Sequence, residues 1–217
     1  MKKCVVWDWN GTLLDDVGAC IQAMDLLLKR RGLPALGGVE RYRRMFTFPV
    51  REYYRAAGLD LDREPFPALA EEYLAEYARL AKGCGPRPGA REALARLRER
   101  GWRQVIASAS AQEALEEQVR DQGLLGYFEA LLGVDNGLGG GKEGVAGAYL
   151  AEQALSAQNV VFVGDTVHDW QVARTVGCPC VLVAGGHQDT ARLEATGAPV
   201  VGGIFQAMEK LRSTASA

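Results

Sequence analysis

The groups in this chain that can do chemistry sit just after short apolar runs. Cys4-Val5-Val6-Trp7 leads into Asp8-Trp9-Asn10-Gly11-Thr12. Residues 104–107 lead into Ser108-Ala109-Ser110, and residues 160–163 into Gly164-Asp165-Thr166-Val167-His168-Asp169. Lys142 follows the run Ala130–Val134, beyond Gly139-Gly140-Gly141. Asp8, Asp165 and Asp169 are hard oxygen donors of the kind that hold Mg²⁺. Lys142 can neutralise an anion and ease the packing of carboxylates. The amides after Ser108 are expected to open a helix, whose N-terminus favours anions. Gly11 lets the backbone approach a ligand closely. A carboxylate ringed by a cation, a lysine, a hydroxyl and free amides is equipped for phosphoryl transfer. Asp8 is then the attacking group, and the intermediate is an aspartyl-phosphate.

These groups meet only if the apolar runs are parallel strands whose carboxyl ends share one edge. The runs Cys4–Trp7, 104–107, Ala130–Val134, 160–163 and Cys180–Val183 lack polar alternation. Strands covered on both faces read this way. Helical patterns lie between them near residues 90–100, 112–122, 144–154 and 169–176, with Gly101, Gly123 and Gly177 placed as stops. The expected fold is an α/β, Rossmann-like doubly wound parallel sheet. Residues 16–82 break the rhythm, with no strand pattern. There Val17, Cys20, Ile21, Met24, Leu27 and Leu28 share one helical face, with Asp15 or Asp16 as its cap. More helix is expected at Val39–Met45, Val50–Ala57 and 68–81, punctuated by Pro34, Pro49, Pro65 and Pro67. The expectation is a small helical domain, 16–82, inserted after the first strand of a core made of 1–15 and 83–217. Gly83-Cys84-Gly85-Pro86 is the expected hinge.

At 217 residues the chain can bury one core and a small appendage. Its net charge of −2 argues against a nucleic-acid binder, which shows a strongly basic face. The five cysteines fit neither a disulfide framework nor a zinc site. Cys178-Pro179-Cys180 reads as two small apolar residues entering a buried strand. A reducing compartment is therefore expected. Lys2 and Lys3 are followed by a strand pattern and Asp8, which is not a signal peptide, and no apolar run is long enough for a bilayer. The expectation is a soluble, cytoplasmic protein with no membrane partner, as monomer or homodimer.

Asp8-Trp9-Asn10-Gly11-Thr12-Leu13-Leu14-Asp15-Asp16 resembles the first motif of the haloacid dehalogenase-like (HAD) hydrolase superfamily. Ser108 resembles its second motif, Lys142 its third, and Gly164-Asp165-x-x-x-Asp169 its fourth. Order and spacing match over nearly the whole chain. The helical insertion resembles the mobile cap of the subgroup that holds phosphoglycolate phosphatases and β-phosphoglucomutase. The resemblance implies a Mg²⁺-dependent phosphatase acting on a small phosphorylated metabolite. It makes Asp8 nucleophile and metal ligand, the Asn10 backbone carbonyl a second ligand and Asp165 a direct ligand, with Asp169 completing or supporting the site. Gly11, Thr12, Ser108, Ala109 and Lys142 would bind the phosphoryl group. Phe48-Pro49-Val50-Arg51-Glu52 is placed like the family's specificity loop, which makes Arg51 the candidate for a substrate phosphate.

Asn10 departs from the pattern. Phosphatases of the superfamily usually carry an aspartate there, which protonates the leaving alcohol and then activates water. An amide does neither, and general acid–base help is typically worth ~10²–10⁴-fold. Three readings stay open. The chain is a phosphatase for good leaving groups or with a borrowed proton donor, for which His168 is a candidate against its reading as a solvated surface residue. It breaks another bond, as a dehalogenase or phosphonatase does. Or it binds phosphorylated metabolites with little turnover, as a sensor. The insertion's basic run Arg41, Arg43, Arg44, Arg51 and Arg55 reads as a mostly solvated face. Tyr42, Phe46, Phe48, Tyr53 and Tyr54 read as the insertion's own core. His187 carries no assignment.

Overall fold

The computed structural model describes residues 3–135 and 141–213; Gly139 and Gly140, ahead of Lys142, lie outside them. Six strands form one parallel sheet: β1 (Cys4–Trp7), β2 (Arg103–Ala111), β3 (Ala130–Val134), β4 (Val160–Gly164), β5 (Cys180–Val183) and β6 (Val200–Val201). Their order is β3-β2-β1-β4-β5-β6. The chain builds outward from β1 to one side, then returns to build outward on the other. The crevice therefore lies beyond the carboxyl ends of β1 and β4, where the order reverses.

Alternate residues of each strand feed opposite faces. Val5, Trp7, Ile106, Val161 and Val163 join one apolar cluster with Leu94, Leu115 and Met208. Cys4, Val6, Val105, Val160 and Phe162 join another with Ala146, Leu150, Val172 and Ala173. Both faces are thus covered, which is why these strands are apolar throughout.

Four helices follow β1: α1 (Val17–Arg30), α2 (Val39–Met45), α3 (Val50–Ala57) and α4 (Phe66–Ala81). They enclose a third apolar cluster containing Met24, Leu27, Leu28, Tyr42, Tyr53, Tyr54 and Leu69. The segments entering and leaving them run side by side. Asp15 N–H donates to the Gly85 carbonyl at 2.9 Å, and Arg87 N–H to the Leu13 carbonyl at 2.8 Å. Pro67 sits in the first turn of α4, where a missing N–H costs nothing, so the helix starts before residue 68.

The remaining helices are α5 (Ala90–Glu99), α6 (Gln112–Asp121), α7 (Lys142–Glu152), α8 (Val167–Thr175), α9 (Thr190–Glu194) and α10 (Ile204–Ser213). Three boundaries differ from the sequence pattern, and each bears on the site. Strand β2 continues to Ala111, so Ser108 and Ala109 lie in extended backbone and not at a helix start. Helix α7 begins at Lys142 itself, and α8 begins ahead of Asp169. Strand β6 is two residues long, too short to leave a periodic signal. None of the described helices is long and apolar enough to cross a membrane.

Candidate active site

The carboxyl ends of β1, β2 and β4 and the start of α7 converge on one cavity. Asp8, Asn10, Ser108, Ala109, Lys142 and Asp169 line it. Lys142 Nζ donates to Asp8 Oδ1 and to Asp169 Oδ1, each at 2.5 Å. Asp169 also closes a capping box at the head of α8. Its Oδ2 accepts from Thr166 N at 3.0 Å and from Thr166 Oγ1 at 2.7 Å. Capping and ion pairing thus share one carboxylate.

Oxygen atoms of Asp8, Asp165 and Asp169 lie within 4.8 Å of one another. This all-carboxylate set suits a hard divalent cation. Its charge balance points the same way, because Lys142 pairs with Asp8 and Asp169 and makes no ion pair with Asp165. Burial pushes the Asp8 carboxyl well above the usual range; Lys142 opposes this, and Asp169 and Asp165 reinforce it. Burial likewise raises Asp165, against the pull of His187 and with the push of Asp169. Asp169 is also buried, yet the Lys142 ammonium and the bonds from Lys142 and Thr166 hold it below the usual range.

Several assignments change. Thr12 Oγ1 donates to Asp165 Oδ1 at 2.6 Å, so this hydroxyl orients a carboxylate and does not face a phosphate. Gly11 N–H is taken by Asp16 Oδ1 at 2.7 Å, and the Gly11 carbonyl by Arg87 Nη1 at 2.7 Å. Gly11 is required for space. At φ 72°, a Cβ there would lie 2.5 Å from His187 Cδ2 and 2.6 Å from Asp165 Oδ2. Arg51 is exposed on α3 and does not line the cavity. The rest of the basic run is exposed as expected, except Arg43, which donates to the Gly186 and Gly185 carbonyls at 2.9 and 2.7 Å and ties α2 to the loop after β5. His168 is no solvated surface residue. It lines the cavity and stacks on Phe48, ring centroids 4.3 Å apart, and burial lowers its pKa. Phe46, Phe48, Tyr53 and Tyr54 also line the cavity, whereas Tyr42 is wholly buried beneath it.

Asn10 is held from four sides. Its Nδ2 donates to Asp16 Oδ2 at 2.8 Å and to Tyr77 Oη at 2.7 Å. Its Oδ1 accepts from Ser110 Oγ at 2.8 Å and Ser108 Oγ at 3.3 Å. Asp16 stands at the head of α1 but makes no side-chain cap bond. It is fully buried and accepts from Gly11, Asn10 and Tyr77, with His187 Nε2 3.5 Å away. His187 Nδ1 is bonded to Tyr42 Oη at 2.6 Å, and the His187 backbone N–H donates to Asp165 Oδ2 at 2.6 Å. Tyr42, Tyr77 and His187 come from distant parts of the chain, so no local motif marks them; Asp16 ends the first motif, where its spacing suggests only a helix cap.

Burial alone would lower the His187 pKa. The nearby Asp16 carboxylate outweighs it, helped by Asp165 and Asp8, and holds the imidazolium up to about 9. Burial acts to raise Asp16, but His187, Asn10 and Tyr77 bring it below its ordinary value. A raised histidine stabilises the fold fully below its unfolded value near 6.5, and that stability is lost as pH rises through about 9. A lowered aspartate keeps its contribution above its unfolded value near 4 and loses it on acidification. In metal-free buffer the melting temperature is therefore expected to fall between pH 7 and pH 10. His187→Gln should melt lower at pH 7 and show a flatter profile over that window. Equal slopes for the two proteins would exclude the ion pair as the cause.

Comparison with known proteins agrees with this geometry. The model of the haloacid dehalogenase-like hydrolase family matches residues 2–177. The chain belongs to that family and is a hydrolase. A phosphoglycolate phosphatase of Caulobacter vibrioides is 30% identical over 203 residues, covering 91% of this chain and 85% of that protein. The tyrosine-protein kinase PtkA of Mycobacterium tuberculosis is 28% identical over 204 residues, covering 92% of this chain and 68% of that protein. A solved haloacid dehalogenase-like hydrolase of Streptococcus pneumoniae superposes with a TM-score of 0.83 at 18% identity, over 97% of this chain and 98% of that one.

Proposed function

We propose that this hydrolase is a Mg²⁺-dependent phosphatase acting on a small phosphorylated metabolite through an aspartyl-phosphate on Asp8. The observation that carries the reading is the Asp8–Lys142–Asp169 cluster at the cavity floor, beside Ser108. A relative named as a phosphoglycolate phosphatase supports it. Asp8, Asp165, Asp169 and the Asn10 backbone carbonyl would hold the metal. When bound, Mg²⁺ supplies the positive charge that lets a carboxylate approach a phosphate.

The chain's own residues do the rest. An Asp8 oxygen attacks phosphorus, and the ester oxygen leaves with its electron pair. Lys142 Nζ and Ser108 Oγ hold phosphoryl oxygens during transfer. Water then cleaves the acyl phosphate and restores the Asp8 carboxylate. The helical insertion acts as a cap that excludes bulk water while this happens. Asn10 neither gives nor takes a proton, so esters with good leaving groups are turned over fastest.

The test is phosphate release from an aryl phosphate, with Mg²⁺ or EDTA, for the native protein and Asn10→Asp. Native turnover should need Mg²⁺. The variant puts a carboxyl beside Asp16, 2.8 Å from the present amide nitrogen. Two carboxyls this close share a proton, so one stays protonated toward neutral pH and can serve a leaving alcohol. Alkyl phosphate turnover should then rise, by up to ~10²-fold. Tight ester binding with no Mg²⁺-dependent release by the native protein would overturn the phosphatase reading in favour of a sensor.

A further inference from the structure

The cavity above Asp8 encloses about 380 Å³, room for a small organic molecule. Its floor is polar and its roof is not. The insertion contributes Phe46, Phe48, Tyr54, Phe66, Tyr73 and Leu74 to the wall. The rings pack on one another: Tyr54 lies 5.2 Å from Phe66 and 5.9 Å from Tyr73, centroid to centroid. Ring assemblies of this kind receive flat apolar groups.

Charge on the wall is already committed. The insertion's side contributes one charged side chain, Asp16, bonded as described. Among the described lining residues the basic groups are Lys142, His168 and His187. Lys142 is clamped between Asp8 and Asp169. His187 is bonded to Tyr42 and faces Asp16. His168 is stacked on Phe48, and Glu143 lies 3.9 Å from its Nε2. A carboxylate on the substrate's far end would lose its hydration here and find no cation, which is costly.

On the phosphatase reading above, we propose that the substrate is a phosphate monoester whose alcohol part is uncharged, aromatic or comparably bulky and apolar. Small phosphates that carry a carboxylate, phosphoglycolate included, are poor substrates.

The test compares kcat/KM, with Mg²⁺, for three esters of alkyl alcohols: phenylethyl phosphate, its para-acetyl derivative and phosphoglycolate. All three have alkyl leaving groups, which keeps leaving-group chemistry out of the comparison. Both aryl-bearing esters should exceed phosphoglycolate by roughly tenfold or more, chiefly through KM, because apolar burial adds to binding. Leu74→Arg, at the 40% exposed rim, should shift the ratio toward phosphoglycolate. Phosphoglycolate equal to or better than phenylethyl phosphate would overturn the proposal while the phosphatase reading stands. If no ester is hydrolysed, calorimetry with phenylpropyl phosphonate and phosphonoacetate decides. Tighter binding of the aryl phosphonate keeps the ligand class, and the phosphatase reading falls if an aryl phosphate is not hydrolysed either; tighter binding of phosphonoacetate sinks the ligand class.

Discussion

Asp8→Asn is expected to lower ester turnover by roughly 10⁴-fold or more, because the attacking oxygen is lost. The same change should raise the melting temperature of the metal-free protein at neutral pH. Burial holds the Asp8 carboxyl well above its usual range, and the repulsion of Asp169 and Asp165 adds to this beyond what Lys142 offsets. A carboxyl raised in the folded state binds its proton more tightly there than in the unfolded chain. Its contribution is favourable in acid and is lost as pH rises from about 4 through the raised value. An amide at position 8 removes that loss, and Lys142 keeps Asp169 as its partner. The variant should therefore melt higher at pH 7 and decline less between pH 5 and pH 8. Surviving activity would sink the nucleophile assignment. An unchanged melting profile would sink the account of stored repulsion, which is a common cost of active sites.

The second large effect runs the other way. Lys142→Met should destabilise the protein as well as inactivate it. The Lys142 side chain is 3% exposed and makes both of its ion pairs at 2.5 Å. Deleting it leaves two buried carboxylates with no cation between them, at a cost of about 3–5 kcal/mol. For a chain of this size that is a fall in melting temperature of roughly 6–20 °C. Mg²⁺ should restore part of the loss, because a ligand that binds only the folded state stabilises it. Thermal melts with and without Mg²⁺ check this. A variant as stable as the native protein in EDTA would mean that Lys142 is not the charge that makes this cluster tolerable.

Much of the sheet and the cluster is written locally. Cys4–Trp7 and residues 160–163 are apolar at every position because both faces are covered. A polar residue after each such run must then sit at the carboxyl edge. With the strands parallel, that reasoning places Asp8, Asp165 and Ser108 at one edge, whichever strands are neighbours. The start of α7 and the full length of β2 were less legible. Residues 108–111 are small and neutral, and small neutral residues are compatible with strand end or helix start alike.

What the sequence by itself determined is therefore the parallel α/β core, the helical nature of the stretch after β1, and the set of groups able to transfer a phosphoryl group. Those features follow from periodicity and spacing along the chain, which are one-dimensional. Only the tertiary structure decided what surrounds them. Asp16 looked like a helix cap, yet it is buried against residues 10, 11, 77 and 187. Thr12 turns to Asp165, and Arg51 stays in solvent, while Phe46, Tyr53 and Tyr54 serve the insertion's core as expected and, with Phe48, also line the cavity. Whether a ring packs inward or lines a cleft depends on how four helices sit over a sheet edge, and that placement is a sum of contacts between residues far apart in the chain.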